Sequence, residues 1–167
     1  MDLLLIQPQD KNNQRRSLME WTIKQFQDLT LDELYAILYL RTAVFVVEQA
    51  CPYQEVDNKD QESYHLLGQD NGDVVAYARL LPPGLSFHQA SIGRVLVAPS
   101  HRGQGLGQQL MARSLAFLVE ELGQKRIQLS GQTYLEAFYK SFGFQPISDM
   151  YLEDDIPHKD MLLVMED

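Results

Sequence analysis

Apolar and polar residues alternate across residues 20–26, EWTIKQF, the pattern of a strand with one buried face. Residues 29–48, LTLDELYAILYLRTAVFVVE, change to helical spacing, with Leu31, Leu34, Ile37, Leu38 and the run 41–45 in register. Thr30 is placed to cap this helix and Glu33 to complete a capping box. Residues 49–63, QACPYQEVDNKDQES, are polar and form a loop too long to be a mere connection. Two strand-like runs, YHLLGQ and VVAYARLL, flank Asn71-Gly72, a strong hairpin signal. PPGLSFHQ reads as a loop and SIGRVLV as the next strand. Between about residues 103 and 122, Met111, Leu115, Leu118 and Leu122 recur at helical intervals, and Gly123 stops the run. KRIQLS predicts a strand, TYLEAFYKSF a helix ended by Gly143, and MLLVME a last strand. No repeat, low-complexity segment or interdomain linker interrupts this order. It predicts an α/β (α+β) protein with a mixed central sheet, antiparallel at its middle hairpin.

The length of 167 residues suits one domain, large enough for a core without disulfides or metal. A net charge of −9 argues against nucleic acid as the partner, since such binders present a basic face. It is compatible with a cationic small acceptor, although excess charge also serves solubility. The single cysteine, Cys51, excludes an intrachain disulfide and fits a reducing, cytoplasmic setting. No apolar run approaches the roughly 20 residues of a membrane span. At the N-terminus a short apolar patch precedes the basic residues, the wrong order for a secretory signal. Residues 1–18 are therefore expected to be a flexible extension before a domain of residues 19–167. Met19 is a candidate start of translation, a point that the intact mass of the native protein decides.

The most specific stretch is VLVAPSHRGQGLGQQLM, residues 95–111, with Gly103, Gly105 and Gly107 at every second position between a strand and a helix. A helix N-terminus offers unpaired N–H groups and partial positive charge. Glycines let an oxygen-rich anion reach those amides, and Arg102 adds a charge beside them. Tight helix–strand packing is the plainer use of such glycines. A P-loop is disfavoured, because Gly107 is followed by Gln108-Gln109 and not by Lys-Ser/Thr. The dinucleotide spacing G-x-G-x-x-G is also absent.

Arg102-Gly103-Gln104-Gly105-Leu106-Gly107 resembles the R/Q-x-x-G-x-G/A signature of the GNAT superfamily of N-acetyltransferases. FYKSFGF, residues 138–144, is similar to that superfamily's second motif. FVVEQACPYQEVD, VAYARLL, IGRVLV and EDDIPH extend the likeness to its ElaA-type branch, from about Glu20 to the C-terminus. The resemblance implies a GNAT fold and acetyl-CoA as cosubstrate. It implies that backbone groups of Val95, Leu96 and Val97 pair with the pantetheine arm as an added strand. Arg102 and the amides of Gly103, Gln104, Gly105, Leu106, Gly107 and Gln108 would hold the pyrophosphate. Gln132 stands where the superfamily often has asparagine. Tyr139 occupies the general-acid position, and its phenol, ordinarily protonated at neutral pH, can give a proton to sulfur. A tyrosine between Phe138 and Phe142 on an apolar helix is otherwise a core residue with a satisfied hydroxyl.

The implied reaction is attack of a primary amine, from a small molecule or a peptide, on a thioester. An alkyl ammonium must first lose a proton. Glu48, Glu55, Asp57, His65, Glu153 and His158 are candidates for the base, and none is assigned. Glu55, His65, Glu153, Asp154 and His158 are candidate substrate residues. Alternation places Arg94 on the face of Ile92 and Leu96, either as partner of Glu55 or Asp57 or as a clamp on a substrate carboxylate. Nothing next to Cys51 lowers its pKa, which favours direct transfer in a ternary complex over an acyl-cysteine. No metal-ligand spacing is present, and no metal is expected. A non-catalytic acyl-CoA sensor on the same fold and an ATP-binding protein are the competing readings.

Overall fold

The computed structural model describes residues 18–166; of the extension expected at residues 1–18, all but Leu18 lies outside them. Strand β1 (Met19–Gln25) leads through a short turn to helix α1 (Leu31–Arg41), which continues in wider, π-type turns over Thr42–Glu48. Thr30 Oγ1 accepts from Glu33 N–H and the Glu33 carboxylate accepts from Thr30 N–H, completing the expected capping box. After the long loop, β2 (Tyr64–Asp70) and β3 (Asp73–Leu81) form the hairpin. Asn71 and Gly72 both take positive φ, as a tight hairpin turn requires. β4 (Ala90–Val97) runs into the glycine turn and α2 (Leu106–Ala116), extended by wider turns over Phe117–Glu121; Gly123, at positive φ, ends it. β5 (Arg126–Gln132), α3 (Glu136–Lys140), the short β6 (Gln145–Pro146) and β7 (Tyr151–Glu153), and β8 (Ile156–Val164) complete the chain.

The eight strands form one mixed sheet in the order β1-β2-β3-β4-β5-β8-β6, with β7 on β8. Only β4 and β5 are parallel. Leu110, Met111 and Leu118 of α2 and Tyr139 of α3 pack with Leu66, Ala78, Leu80, Ile92 and Leu129 on one face. On the other face Ile37 and Val44 cover Leu67, Tyr77 and Leu96. No helix among the described residues is long and apolar enough to cross a membrane.

The last strand starts five residues earlier than MLLVME predicts. Its hairpin with β7 turns at Asp154 and Asp155, both at positive φ, a conformation usually given to Asn-Gly or Gly and so without its usual signature. The face assigned to Arg94 also needs correction. Tyr77 opposes Leu96 and Arg79 opposes Gly93, so Arg94 and Val95 together oppose Ala78 in a bulge. The extra residue shifts the alternation: Ile92 and Val95 face the α2 side, while Leu96 faces the α1 side.

Arg94 has a φ of 53°, costly for a residue with a Cβ. Its Nε donates to Glu55 Oε1 at 2.5 Å, which anchors it. Glu55 also accepts from the Nε of Arg41, a fully buried side chain of α1, at 2.9 Å. Arg41 reaches Asp60 at 2.7 Å, and Arg79 bridges Asp57 and Asp60 at 2.7 and 2.8 Å. The loop at residues 49–63 is thus nailed to the sheet by three guanidiniums and three carboxylates. Burial alone would raise the carboxyls of Asp57 and Asp60, but hydrogen bonds from Arg79 and Arg41 hold both below the usual range.

Removing one member of a buried ion network strands the others, at about 3–5 kcal/mol. Glu55→Ala is expected to lose stability of that order in urea denaturation; a loss under about 1 kcal/mol would show the network is dispensable. Because the folded values of Asp57 and Asp60 are depressed, their contribution is complete above the unfolded value of about 3.9 and drains away as pH falls through the folded values. Unfolding free energy should therefore drop below about pH 4, more gently in Asp57→Asn. Identical slopes would place the acid sensitivity elsewhere.

Candidate active site

β4 and β5 are paired only at Ala90–Ile127 and Ser91–Gln128. Beyond Ser91 the strands part, and the gap opens into a cleft of about 740 Å³. Val95, Leu96 and Val97 form one wall, with Gln132 and Tyr139 opposite. Backbone that would have met a fifth-strand neighbour is left facing this cleft, which is where an extended ligand adds as a strand. One acceptor there is already used: the carbonyl of Val97 takes the Nε of Arg102 at 3.1 Å.

The glycine turn closes one end. Gly103 and Gly105 have φ of 77° and 76°, so these two glycines are demanded by backbone conformation. Gly105 is the N-cap of α2, with no side chain capping the helix. The first intrahelical bond found is Gln109 N–H to Gly105 O, so the amides of Leu106, Gly107 and Gln108 remain for a ligand. Gly107 lines the cleft; a Cβ there would meet Phe138 at an ordinary 3.7 Å, so its bareness serves approach from the cleft and not internal packing. The side chain of Leu106 packs inward with Val75 and Ala98, leaving only its backbone to the turn. Arg102 is not a free charge: Glu48 takes two of its N–H groups at 2.6 and 2.8 Å. Two of its five donors stay open toward a phosphate. The same pair holds the Glu48 carboxyl below its usual range, which makes Glu48 a poor base.

Tyr139 projects from α3 under β5. Its ring belongs to the core, so close to Gly131 that a Cβ there would lie 2.9 Å from it. Its hydroxyl behaves differently. Among the described residues no group hydrogen-bonds it, and the side chain lines the cleft. Burial pushes its pKa up to about 12, so it is held protonated.

The far end of the cleft is built by β5, β7 and β8. Glu153, Asp154 and His158 line it, together with Ser130. Gln132 donates to Gln49 at 3.4 Å, tying β5 to the end of α1. Cys51 lies buried against this end, its Sγ 3.4 Å from the Asp154 carbonyl. Burial and then the charges of Asp154 and Asp155 raise its pKa, the wrong direction for a nucleophile.

Three candidates are corrected. His65 is fully buried, with Nδ1 on the Tyr77 hydroxyl and Nε2 on the Asp60 carbonyl; both nitrogens are spent inside the α1 face. Glu55 is buried between Arg41 and Arg94, and anchors the bulge instead of meeting a substrate. Arg94 lines the cleft, but Glu55 and Asp57 hold its Nε and Nη2, leaving only Nη1 and no two-nitrogen fork to clamp a carboxylate. Asp57 is likewise engaged by Arg79.

Sequence reasoning passed over Tyr53, which lies 5.9 Å from the Arg94 guanidinium, and the pair Ser130 and Tyr151, whose hydroxyls meet at 2.5 Å. Nothing in the pattern marks Ser130 or Tyr151. Buried Arg41 and Arg79 were detectable, as arginines at core positions of an apolar helix and strand.

Comparison with known proteins agrees with this geometry. The acetyltransferase (GNAT) family profile matches residues 16–144. Protein ElaA of Escherichia coli (strain K12) is 43% identical over 143 residues, covering 84% of this chain and 94% of that protein. A crystal structure of an acyl-CoA N-acyltransferase from Pseudomonas aeruginosa superposes with a TM-score of 0.84 at 48% identity, covering 88% of this chain and all of the other. The crystal structure of Escherichia coli ElaA gives 0.82 at 42%, covering 87% and 99%. With its parted parallel strands, open helix start and matched sequence, the chain belongs to the acetyltransferase (GNAT) family and has the acyl-CoA N-acyltransferase fold.

Proposed function

We propose that the protein moves an acetyl group from acetyl-CoA to a primary amine of a small molecule or peptide, by direct attack in a ternary complex. One observation carries the reading: the Tyr139 side chain is buried and held protonated, while its hydroxyl is unclaimed by any described protein group and opens to the same cleft as the open amides of α2. A core tyrosine would have its hydroxyl satisfied. An acid waiting for a departing thiolate would not.

The chain's residues fit acetyl-CoA. The free amides of Leu106, Gly107 and Gln108 and the open donors of Arg102 suit a pyrophosphate. The unpaired edge of β4 suits the amide-bearing pantetheine arm. Val95, Leu96 and Val97 then hold the thioester in the gap, where a strand N–H polarises its carbonyl. The amine enters from the end lined by Glu153, Asp154 and His158. As the C–S bond breaks, Tyr139 gives its proton to sulfur. The raised Cys51 thiol supports direct attack over an acyl-enzyme. A free thiol buried in the fold suits a cytoplasmic setting.

Tyr139→Phe is expected to lower turnover about 100-fold or more in a screen of amines for release of CoA thiol, with acetyl-CoA affinity by calorimetry unchanged. Full turnover by this variant would sink the acid assignment. No turnover by the unaltered protein with any amine, beside tight binding, would favour a sensor. Stabilisation against heat by ATP and not by acetyl-CoA would end the reading altogether.

Gly131→Ala forces the Tyr139 ring aside, since the new Cβ cannot sit 2.9 Å from it. Turnover should fall by about 10-fold or more while acetyl-CoA still binds. Wild-type turnover would mean the ring position is not critical.

A further inference from the structure

We propose that Glu153 Oε2 and His158 Nε2 form the docking point for the acceptor's ammonium group, and that Nε2 takes its proton. The proposal rests on the acyltransferase reading above and supplies the base that reading lacks.

Register comes first. Gln132 opposes His158, Gly131 opposes Lys159 and Ser130 opposes Asp160 across β5 and β8. Tyr151 opposes His158 and Glu153 opposes Ile156 across β7 and β8. Alternation therefore puts Ser130, Gln132, Tyr151, Glu153, His158 and Asp160 on one face. Gly131 and Lys159 lie on the other, where Tyr139 packs on Gly131 and Lys159 pairs with Glu136 at 2.9 Å. Tyr139 and His158 thus come to the parted strands from opposite faces of the sheet. An acid behind the thioester and a base in front of it is the arrangement that attack and departure require.

The imidazole's tautomer follows from its neighbours. His158 Nδ1 is 2.7 Å from the carbonyl oxygen of Ile156, which can only accept. Nδ1 therefore carries the hydrogen, and in the neutral ring Nε2 presents a lone pair. Nε2 lies 3.9 Å from Glu153 Oε2, too far for a direct hydrogen bond. Two acceptors face one another across a space that suits one donor. A nitrogen about 2.9 Å from both would see them roughly 85° apart, so tetrahedral N–H groups bend only about 12° from linear to reach each.

The pair is held in place. The ring stacks on Tyr151, with centroids 6.2 Å apart and planes at 24°. Tyr151 O–H donates to Asp160 Oδ1 at 2.6 Å, so the one hydrogen of Ser130 Oγ is shared between the Tyr151 oxygen at 2.5 Å and Glu153 Oε2 at 3.1 Å. The groups around the imidazole are thus Glu153 and Tyr151 from β7, Asp160 through Tyr151 on its own strand, and Gln132 from β5. The His158 side chain is 12% exposed and that of Glu153 53%. The carboxylate, open to solvent, offers the ammonium a counter-charge; the more enclosed imidazole offers its lone pair.

The balance closes. An ammonium gives one proton to Nε2, which passes it to solvent. The neutral amine forms the N–C bond, and the C–S bond breaks as Tyr139 protonates sulfur. The second proton lost from nitrogen restores Tyr139. The amide keeps one hydrogen, and amide, CoA thiol and one released proton result.

The test has two independent arms. In protein carrying isotope-labelled histidine and loaded with CoA, proton–nitrogen correlations should show neutral His158 with Nδ1–H and a bare Nε2 whose signal shifts on adding ethylammonium. An Nε2–H tautomer, or no shift at high ethylammonium, overturns the proposal. His158→Gln is then compared with wild type on ethylamine and on trifluoroethylamine, of which only the first is protonated at neutral pH. The expected loss is about 100-fold for ethylamine and no more than about threefold for trifluoroethylamine, with acetyl-CoA affinity unchanged. Equal losses with both amines overturn the base role. If wild type acetylates neither amine, that counts against the acetyltransfer reading for such acceptors, and the nitrogen spectrum alone decides the proposal.

Discussion

The bulge at Arg94 is the constraint on which the rest depends. A parallel pair of strands, once started at Ala90–Ile127, would ordinarily continue its ladder. Two residues of β4 against one of β3 turn the backbone away, and pairing with β5 ends after Ser91. A left-handed arginine is unfavourable without support. Its support is Glu55, anchored in turn by Arg41. The opening between β4 and β5 is thus maintained by charges paired with one another, Arg94 among them at the cleft wall.

That arrangement explains why so many ionisable groups near the cleft are unavailable for chemistry. Arg41, Arg79 and Arg94 neutralise Glu55, Asp57 and Asp60. Buried ion networks add little net stability against an apolar core, yet they fix geometry, because each member is costly to strand. Here the fixed geometry is a loop of fifteen residues, 49–63, seated as a wall of the site. What the network leaves unclaimed in the cleft is the Tyr139 hydroxyl, the α2 amides, and the side chains on β5, β7 and β8.

The elements with local signals were legible in the sequence. The Thr30–Glu33 box, the Asn71-Gly72 hairpin and the stop at Gly123 were readable because each depends on chemistry within a few residues. Gly103 and Gly105 were readable as a turn, and the structure adds that positive φ demands them. What escaped was non-local. Two-residue periodicity cannot anticipate a bulge, so Arg94 was put on the face of Ile92. The turn at Asp154-Asp155 has no glycine, which hid β7 and the start of β8. His65 looked like a site residue because a histidine's partners, here Tyr77 and the Asp60 carbonyl, are not written beside it.

The cleft carries a gradient of charge that the total of −9 conceals. At one end lie the open amides of α2, with their share of the helix dipole, and Arg102. At the other, Glu153 and Asp154 face the cleft, with His158 as the one basic side chain among them. The paired ions between them carry no net charge. An anionic coenzyme and a cationic acceptor would each find the end of opposite sign, and neither would be favoured in the other's place. Glu48 sharpens this further: it sits on Arg102, so an anion entering there must compete with a carboxylate for the guanidinium. A ligand with only one weakly held charge gains little from that exchange. A linked pair of phosphates, able to occupy the amides and the guanidinium together, gains on both. On the proposed reading, the order of charges along the cleft would select for coenzyme and amine jointly, which bulk composition could not do.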